Sequence, residues 1–434
     1  MGLSVATILA TMWRKMRTNR PEFVNVIGSG YAGIECALFL AGHGIQVHLF
    51  DDNRDYNFEE LNHKFESNST KKRKIFEKVL FKELQLFGSP LARVEFKDDE
   101  FLSSKHCKEM LERGKQLLQS SPNIRIFPTI MQELNPNEIT VVATGYCTDA
   151  KLLNSLSYYL GNMNCFDKIL VYPKFVGIDE TQFVKVESTK ERLYFPMNYQ
   201  EYINFINVIV DAINDEREND NQYFIENTIE WLVAKGKDCL KNYAMRPIYI
   251  PGLTERPYAV LKMKKTDRGI RICDFGSKLS EESQLKIFKS IKGFENAVLI
   301  KKADVTNSCL VNSKFVINEF NQSVQNENIF LAGSLLGISG VLDSMATGMV
   351  TGLCINKFFN DYQMIAPPKY SCLGAIDNRI LSSNEIKPEI YAEDYGIIDE
   401  GFDLDDENIV DKLYARSLEN LEKFKENYRY GKHV

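Results

Sequence analysis

Residues 23–53, FVNVIGSGYAGIECALFLAGHGIQVHLFDDN, restrict the fold more than any other part of this chain. An apolar run, Phe23–Ile27, leads into glycines 28, 30 and 33. A helical pattern then places Ile34, Ala37, Leu38 and Ala41 on one face, Gly44 marks a turn, and a second apolar run, Ile45–Phe50, ends at Asp51. Strand, glycine turn, helix and strand in this order predict a βαβ unit. The spacing has a mechanical meaning there. The first glycine makes the tight turn, the second lets backbone approach a pyrophosphate, and the third lets helix pack on strand. The start of the helix then faces the anion. The segment Gly28, Ser29, Gly30, Tyr31, Ala32, Gly33 is therefore a candidate dinucleotide site, with Asp51 placed to accept hydrogen bonds from a ribose.

Two later segments return to the same pattern. EITVVATG is an apolar strand ending in Ala143, Thr144 and Gly145, and NIFLAGSLLGISGVLDSMATGMVTGLCINKF runs from strand through a glycine-rich turn into a helix. An extended flavin needs strand ends from distant parts of a chain, so FAD is favoured over NAD. Thr144, Gly145, Gly333, Gly340 and Val341 join the candidate site. A helix starting near Val341 would aim backbone N–H groups at the flavin pyrimidine, where reduction builds negative charge. The expected fold is α/β, an FAD-binding Rossmann-type (glutathione-reductase-like) domain with an inserted α+β domain.

The boundaries read from the sequence are an N-terminal arm at 1–22, an FAD-binding domain from 23–150 and 300–366, an inserted substrate domain at 151–299, and a connector and closing helix at 367–434. Helices are expected near 74–87, 105–120, Tyr199–Asn214, Glu226–Leu240 and Asn408–Tyr428. RPYAVLKM and GIRICDF are strand-like.

Hydrophobic residues at 44% and charged residues at 26% argue against wholesale disorder and against a membrane class. No stretch approaches the roughly 20 apolar residues of a membrane span. The formal charge of −6 gives no global reason to bind a polyanion, so RNA contacts must rest on local basic patches. Nine cysteines without a Cys-x-x-Cys pair imply reduced thiols and a cytoplasmic protein, mostly as small core residues, and no metal site is expected. The N-terminal segment has its apolar run before its basic residues, the reverse of a secretory signal.

The order of these elements, with RPYAVLKM (256–263), NSCLVNS (307–313), IFLAGSLLGISGVLDSMATGMVTG (329–352) and the tail IKPEIYAEDYGIIDE, resembles the folate- and FAD-dependent tRNA uracil-5-methyltransferase family, TrmFO. The resemblance spans about residue 23 to 428. It implies a flavoprotein that methylates C5 of a uridine in tRNA or rRNA, with methylenetetrahydrofolate as carbon source, reduced FAD as hydride source, and NAD(P)H open as a co-substrate.

Bond formation at C5 needs a nucleophile at C6, and thiolate is the usual choice. The family's first cysteine lies in a segment that matches Phe65-Glu66-Ser67-Asn68-Ser69, and its second precedes a segment that matches Asn227-Thr228-Ile229-Glu230. Glu66 and Glu226 stand at the two cysteine positions. A carboxylate is a poor nucleophile and at best shuttles protons. The alternative reading is an FAD-binding paralogue without methyltransferase activity that binds RNA or folate. Basic clusters at Lys71, Lys72, Arg73, Lys74, at Lys262, Lys264, Lys265, and at Lys301, Lys302 are the candidate RNA contacts, with Lys71–Lys74 expected to reach phosphates.

Overall fold

Five apolar segments pair in parallel, in the spatial order Ile329–Leu331, Thr140–Val142, Phe23–Ile27, Gln46–Phe50, Ile124–Phe127. The computed structural model describes residues 22–430 apart from 52–69, 95–101, 146–147, 161–164, 186–191, 217–224, 226, 251–252, 254, 267–268, 339, 361, 383–393 and 399–401. Two compact units divide the chain. Met1–Asp167 with Ser308–Val434 form the first, and Lys168–Asn307 form the second.

The parallel sheet belongs to the first unit. Its central strands are buried from Val24 to Ile27 and from Thr140 to Val142, as in a sheet covered on both faces, with the polar Asn25 hydrogen-bonded to Glu138 at 2.8 Å. The helix Tyr31–Gly42 is buried from Tyr31 to Ala41, so it has no solvent face. It crosses the helix Val341–Phe359 at Gly348, where a Cβ would collide with the Ala32 backbone, Cα lying 2.8 Å away.

The helix Lys71–Leu86 is amphipathic. Its buried side includes Arg73, Phe76, Leu80 and Leu84, three or four residues apart. Thr70 caps it by accepting from the Arg73 N–H at 3.2 Å. The last helix, Ile409–Tyr430, lies alongside, with Phe87 edge-on to Phe424 and Lys425 Nζ donating to the Leu86 carbonyl at 2.9 Å.

The second unit holds a six-stranded sheet in the order Val298–Lys301, Lys174–Val176, Gly269–Ile272, Ala259–Thr266, Arg192–Met197, Val184–Lys185, every pair antiparallel. RPYAVLKM and GIRICDF thus supply the two arms of a hairpin. Helices Tyr199–Glu216 and Glu281–Lys289 contribute to its apolar core, where Phe175, Phe275, Phe288 and Phe294 pack ring on ring, with centroids as close as 4.6 Å.

One sequence expectation is corrected here. The stretch expected as a single helix from Glu226 to Leu240 is two short helices, Ile229–Ala234 and Lys237–Tyr243, broken at Gly236. Gly236 has φ +123°, a conformation that L side chains rarely adopt, so the helix cannot continue through it. Cys239 therefore lies on a different helix from the one that begins beside position 226.

Candidate functional site

Four adjacent strands of the parallel sheet end in the residues singled out from the sequence. Phe23–Ile27 is followed by Gly28, Gln46–Phe50 by Asp51, Thr140–Val142 by Ala143, Thr144 and Gly145, and Ile329–Leu331 by Ala332 and Gly333. All four strands run the same way, so these segments meet at the carboxyl edge, where open α/β sheets take their ligands.

Close packing dictates the residue types. Gly28 has φ +103°, and a Cβ there would meet the Ala143 backbone, its carbonyl carbon at 2.9 Å. A Cβ on Gly33 would overlap the Gly28 carbonyl oxygen. The turn therefore closes only with glycine at both places, and it leaves the start of the helix at Tyr31 close to the strand end. Gly30 is the N-cap of that helix and provides no side-chain cap, so the helix start presents backbone N–H groups that a ligand can take up. Ser29 Oγ donates to Asp51 Oδ2 at 2.5 Å, which fixes the carboxylate beside the turn. Thr144 and Thr148 share a hydrogen bond of 2.6 Å just beyond the next strand. The Gly333 N–H donates to Thr347 Oγ1 at 2.9 Å, and a Cβ on Gly333 would stand 3.0 Å from Ala32 Cβ.

Gly340 caps the long helix Val341–Phe359, again without a side-chain cap and with φ +130°. A charged cluster presses on it. Asp343, fully buried in the first helical turn, accepts from Arg73 Nη1 at 3.0 Å, from Arg73 Nη2, and from the Tyr395 hydroxyl at 2.6 Å. Arg73 Nε also donates to Glu77 at 2.8 Å. Burial, with Asp343 beside it, pushes the Tyr395 phenol well above its ordinary range, so it stays a donor. A Cβ on Gly340 would collide with Asp343 and lie 2.7 Å from Arg73 Nη2.

This geometry takes Arg73 out of the Lys71–Lys74 run expected to reach phosphates. Arg73 is 1% exposed and belongs to the core, while Lys71 pairs with Asp405. Of the other clusters, Lys262 Nζ lies 3.7 Å from Asp274, and Lys265 pairs with Glu180 at 2.5 Å. Asp343, Tyr395 and Thr347 escaped the sequence reading, and Arg73 was read only as part of a basic cluster. The one available signal was the position of Arg73 on the apolar stripe of its helix.

Glu66 and Glu226 lie outside the described residues. Cys36, Cys107, Cys354 and Cys372 are buried, and Cys239 and Cys273 are half-buried. Burial pushes the Cys36, Cys273, Cys354 and Cys372 thiols up, away from thiolate. Among the described residues no group of three or more His, Cys, Asp or Glu side chains is arranged for a metal ion, and no helix is long and apolar enough to cross a membrane.

Buried carboxyls set a pH dependence. Burial raises Glu35 and Asp377 to about 8 and Glu83 to about 7. Glu35 Oε2 accepts the Leu91 N–H at 3.3 Å while Oε1 has no partner, and Glu83 caps the helix Cys372–Ser382 by accepting two N–H groups at 3.0 Å. A folded-state value above the unfolded one contributes stability that is complete below about pH 4 and is lost as pH rises through 7 to 8. Thermal denaturation should show Tm falling between about pH 5 and pH 9, with Glu35→Gln more stable than the parent at the alkaline end. Equal Tm for parent and variant there would contradict a buried neutral Glu35.

Comparison with known proteins adds to this geometry. Residues 177–362 match the family model for Glucose inhibited division protein A, and residues 24–74 match the model for Pyridine nucleotide-disulphide oxidoreductase. Methylenetetrahydrofolate–tRNA-(uracil-5-)-methyltransferase TrmFO of Thermosipho melanesiensis is 27% identical, covering 92% of this chain and 98% of its own length. The TrmFO proteins of Thermosipho africanus and Thermotoga maritima are 29% and 28% identical, each covering 86% of this chain. Among solved structures, GidA of Aquifex aeolicus is similar in fold, with TM-score 0.52 at 15% identity over 94% of this chain and 76% of that one.

Proposed function

We propose that this chain, a divergent relative of the TrmFO family, binds FAD at the carboxyl edge of its parallel sheet and methylates C5 of a uridine in tRNA, with methylenetetrahydrofolate as the carbon donor. What carries the reading is the coincidence of near full-length similarity to TrmFO proteins with four glycine- or acid-bearing segments at the ends of adjacent parallel strands.

The residues fit the group. The Gly28–Gly33 turn closes tightly because side chains at Gly28 and Gly33 would strike backbone, and the helix start at Gly30 and Tyr31 is left to backbone N–H groups suited to a pyrophosphate. Asp51 is oriented by Ser29 to accept from a ribose hydroxyl. Thr144, Gly145 and Gly333 would lie along the extended dinucleotide. Gly340 and Val341 would hold the pyrimidine end against a helix start, which favours negative charge there. The chemistry FAD supplies when bound is hydride transfer. Arg73 and Asp343 lie close against Gly340 and leave no room for a side chain there.

Glu66 and Glu226 replace the family cysteines, so transfer needs either another nucleophile at uracil C6 or a route that these carboxylates assist as proton carriers. The test uses tRNA transcript, NAD(P)H and methylenetetrahydrofolate labelled in its methylene carbon, followed by nucleoside mass spectrometry. Label in 5-methyluridine is the expected result. Absence of label from a flavin-loaded protein that oxidises NAD(P)H would overturn methyl transfer and leave an FAD-binding paralogue. A Glu66→Cys/Glu226→Cys double variant that then gains label would locate the loss in the two missing thiols.

A further inference from the structure

The helix break at Gly236 places lysines and aromatic rings of the second unit together. Lys235 Nζ stands 3.6 Å from the centre of the Trp231 ring, Lys241 Nζ 4.5 Å from that of Tyr258, and Lys237 Nζ 5.9 Å from that of Tyr199. Tyr199 meets Tyr258 edge-to-face at 5.1 Å, and Tyr258 leans on the buried Tyr202 at 5.5 Å. The Tyr202 hydroxyl in turn donates to the Lys237 carbonyl, so the start of the second short helix is tied to the rings. Tyr199 is 50% exposed, and Lys235 and Lys237 are exposed.

We infer that this face is a docking surface for single-stranded RNA, in which Tyr199 stacks on an unpaired base and Lys235 and Lys237 meet the flanking phosphates. The inference rests on the reading of the chain as an RNA-modifying protein and deepens it by naming where the RNA lies.

Charge and shape both favour this partner. The whole chain carries −6, yet residues 235–246 hold Lys235, Lys237, Lys241 and Arg246 against one acid, Asp238. Asp238 is engaged within the patch, with Lys241 Nζ at 3.2 Å and the Tyr258 hydroxyl at 3.4 Å, so it holds one lysine and one ring in place. Lys235 and Lys237 flank the break and are exposed. Every base has a π-face, and ammonium groups beside aromatic rings provide stacking together with backbone charge.

The test measures fluorescence-anisotropy binding of an unmodified tRNA transcript and of a loop-free RNA duplex. Parent protein is compared with Tyr199→Ala, Tyr199→Phe and the double variant Lys235→Gln/Lys237→Gln. Tyr199→Ala should weaken the transcript about tenfold, within the range found for loss of one stacked base, and leave the duplex unchanged. Tyr199→Phe keeps the ring and should bind as the parent does. The lysine double variant should weaken the transcript and flatten the slope of log affinity against log salt by about 0.7 for each lost contact. Far-ultraviolet circular dichroism checks that each variant is folded, and Tyr199, at an exposed helix start, tolerates truncation. If the parent binds the transcript and all variants match it in affinity and salt slope, this surface is wrong while RNA as partner stands. If the parent binds no RNA, both the surface and the RNA reading fall.

Discussion

Arg73→Met should lower the free energy of unfolding by about 3–5 kcal/mol, the range for breaking a buried ion pair by removing one partner. Arg73 and Asp343 are 1% and 0% exposed, so the variant leaves a carboxylate in the core with, among the described residues, the Tyr395 hydroxyl as its remaining side-chain partner. A loss of that size is a large part of the roughly 5–15 kcal/mol that holds an ordinary domain together. Removing both charges is a different matter. An Arg73→Met/Asp343→Leu variant should regain much of the loss, because the desolvation cost of the pair disappears with it. Lys72→Gln/Lys74→Gln, on the outer part of the same helix, should change stability by no more than about 0.5 kcal/mol. Denaturant titration separates these outcomes. Arg73→Met as stable as the lysine variant would mean that the buried pair is not formed.

Gly30→Asp should abolish flavin binding while sparing the fold. Gly30 is the N-cap of the helix Tyr31–Gly42, with φ −75° and extended ψ, a conformation open to any residue. Aspartate is among the best N-cap residues, so the substitution would satisfy helix N–H groups and favour the helix itself. The same carboxylate would occupy the place proposed for a pyrophosphate. Like charges brought together at a binding site cost several kcal/mol, on the order of a hundred- to a thousand-fold in affinity. Fold and cofactor therefore part company in this variant. Gly33→Val would not separate them, because its side chain would strike the Gly28 carbonyl and disturb both.

The elements that carry local signals were legible. Apolar runs with glycine at fixed offsets gave the βαβ unit, and Asp51, Thr144, Gly145 and Gly333 follow strand ends that the hydrophobic pattern marks by itself. What a local pattern cannot give is the pairing of Arg73 with Asp343 across 270 positions, which is a property of the packed unit. Four basic residues in a row, Lys71–Lys74, read as a solvent-facing charge cluster. On a helix, successive residues point in different directions, and one of the four turned inward. Arg73 stands three residues before Phe76 and seven before Leu80, so its place on the apolar stripe was visible in the spacing. The helix break at Gly236 was masked for a similar reason: a lone glycine in an amphipathic stretch is tolerated often enough that the stretch read as continuous. The lysines and rings that meet around that break come from segments near 199, 231–241 and 258, which only the sheet and helices of the second unit bring together.

The central claim is an FAD site assembled from the ends of the chain, and the absorption spectrum of the purified protein tests it most directly. The account predicts a yellow protein with flavin bands, FAD released on denaturation, and a colourless but folded Gly30→Asp variant. A correctly folded parent that is colourless and takes up no flavin on reconstitution would contradict it.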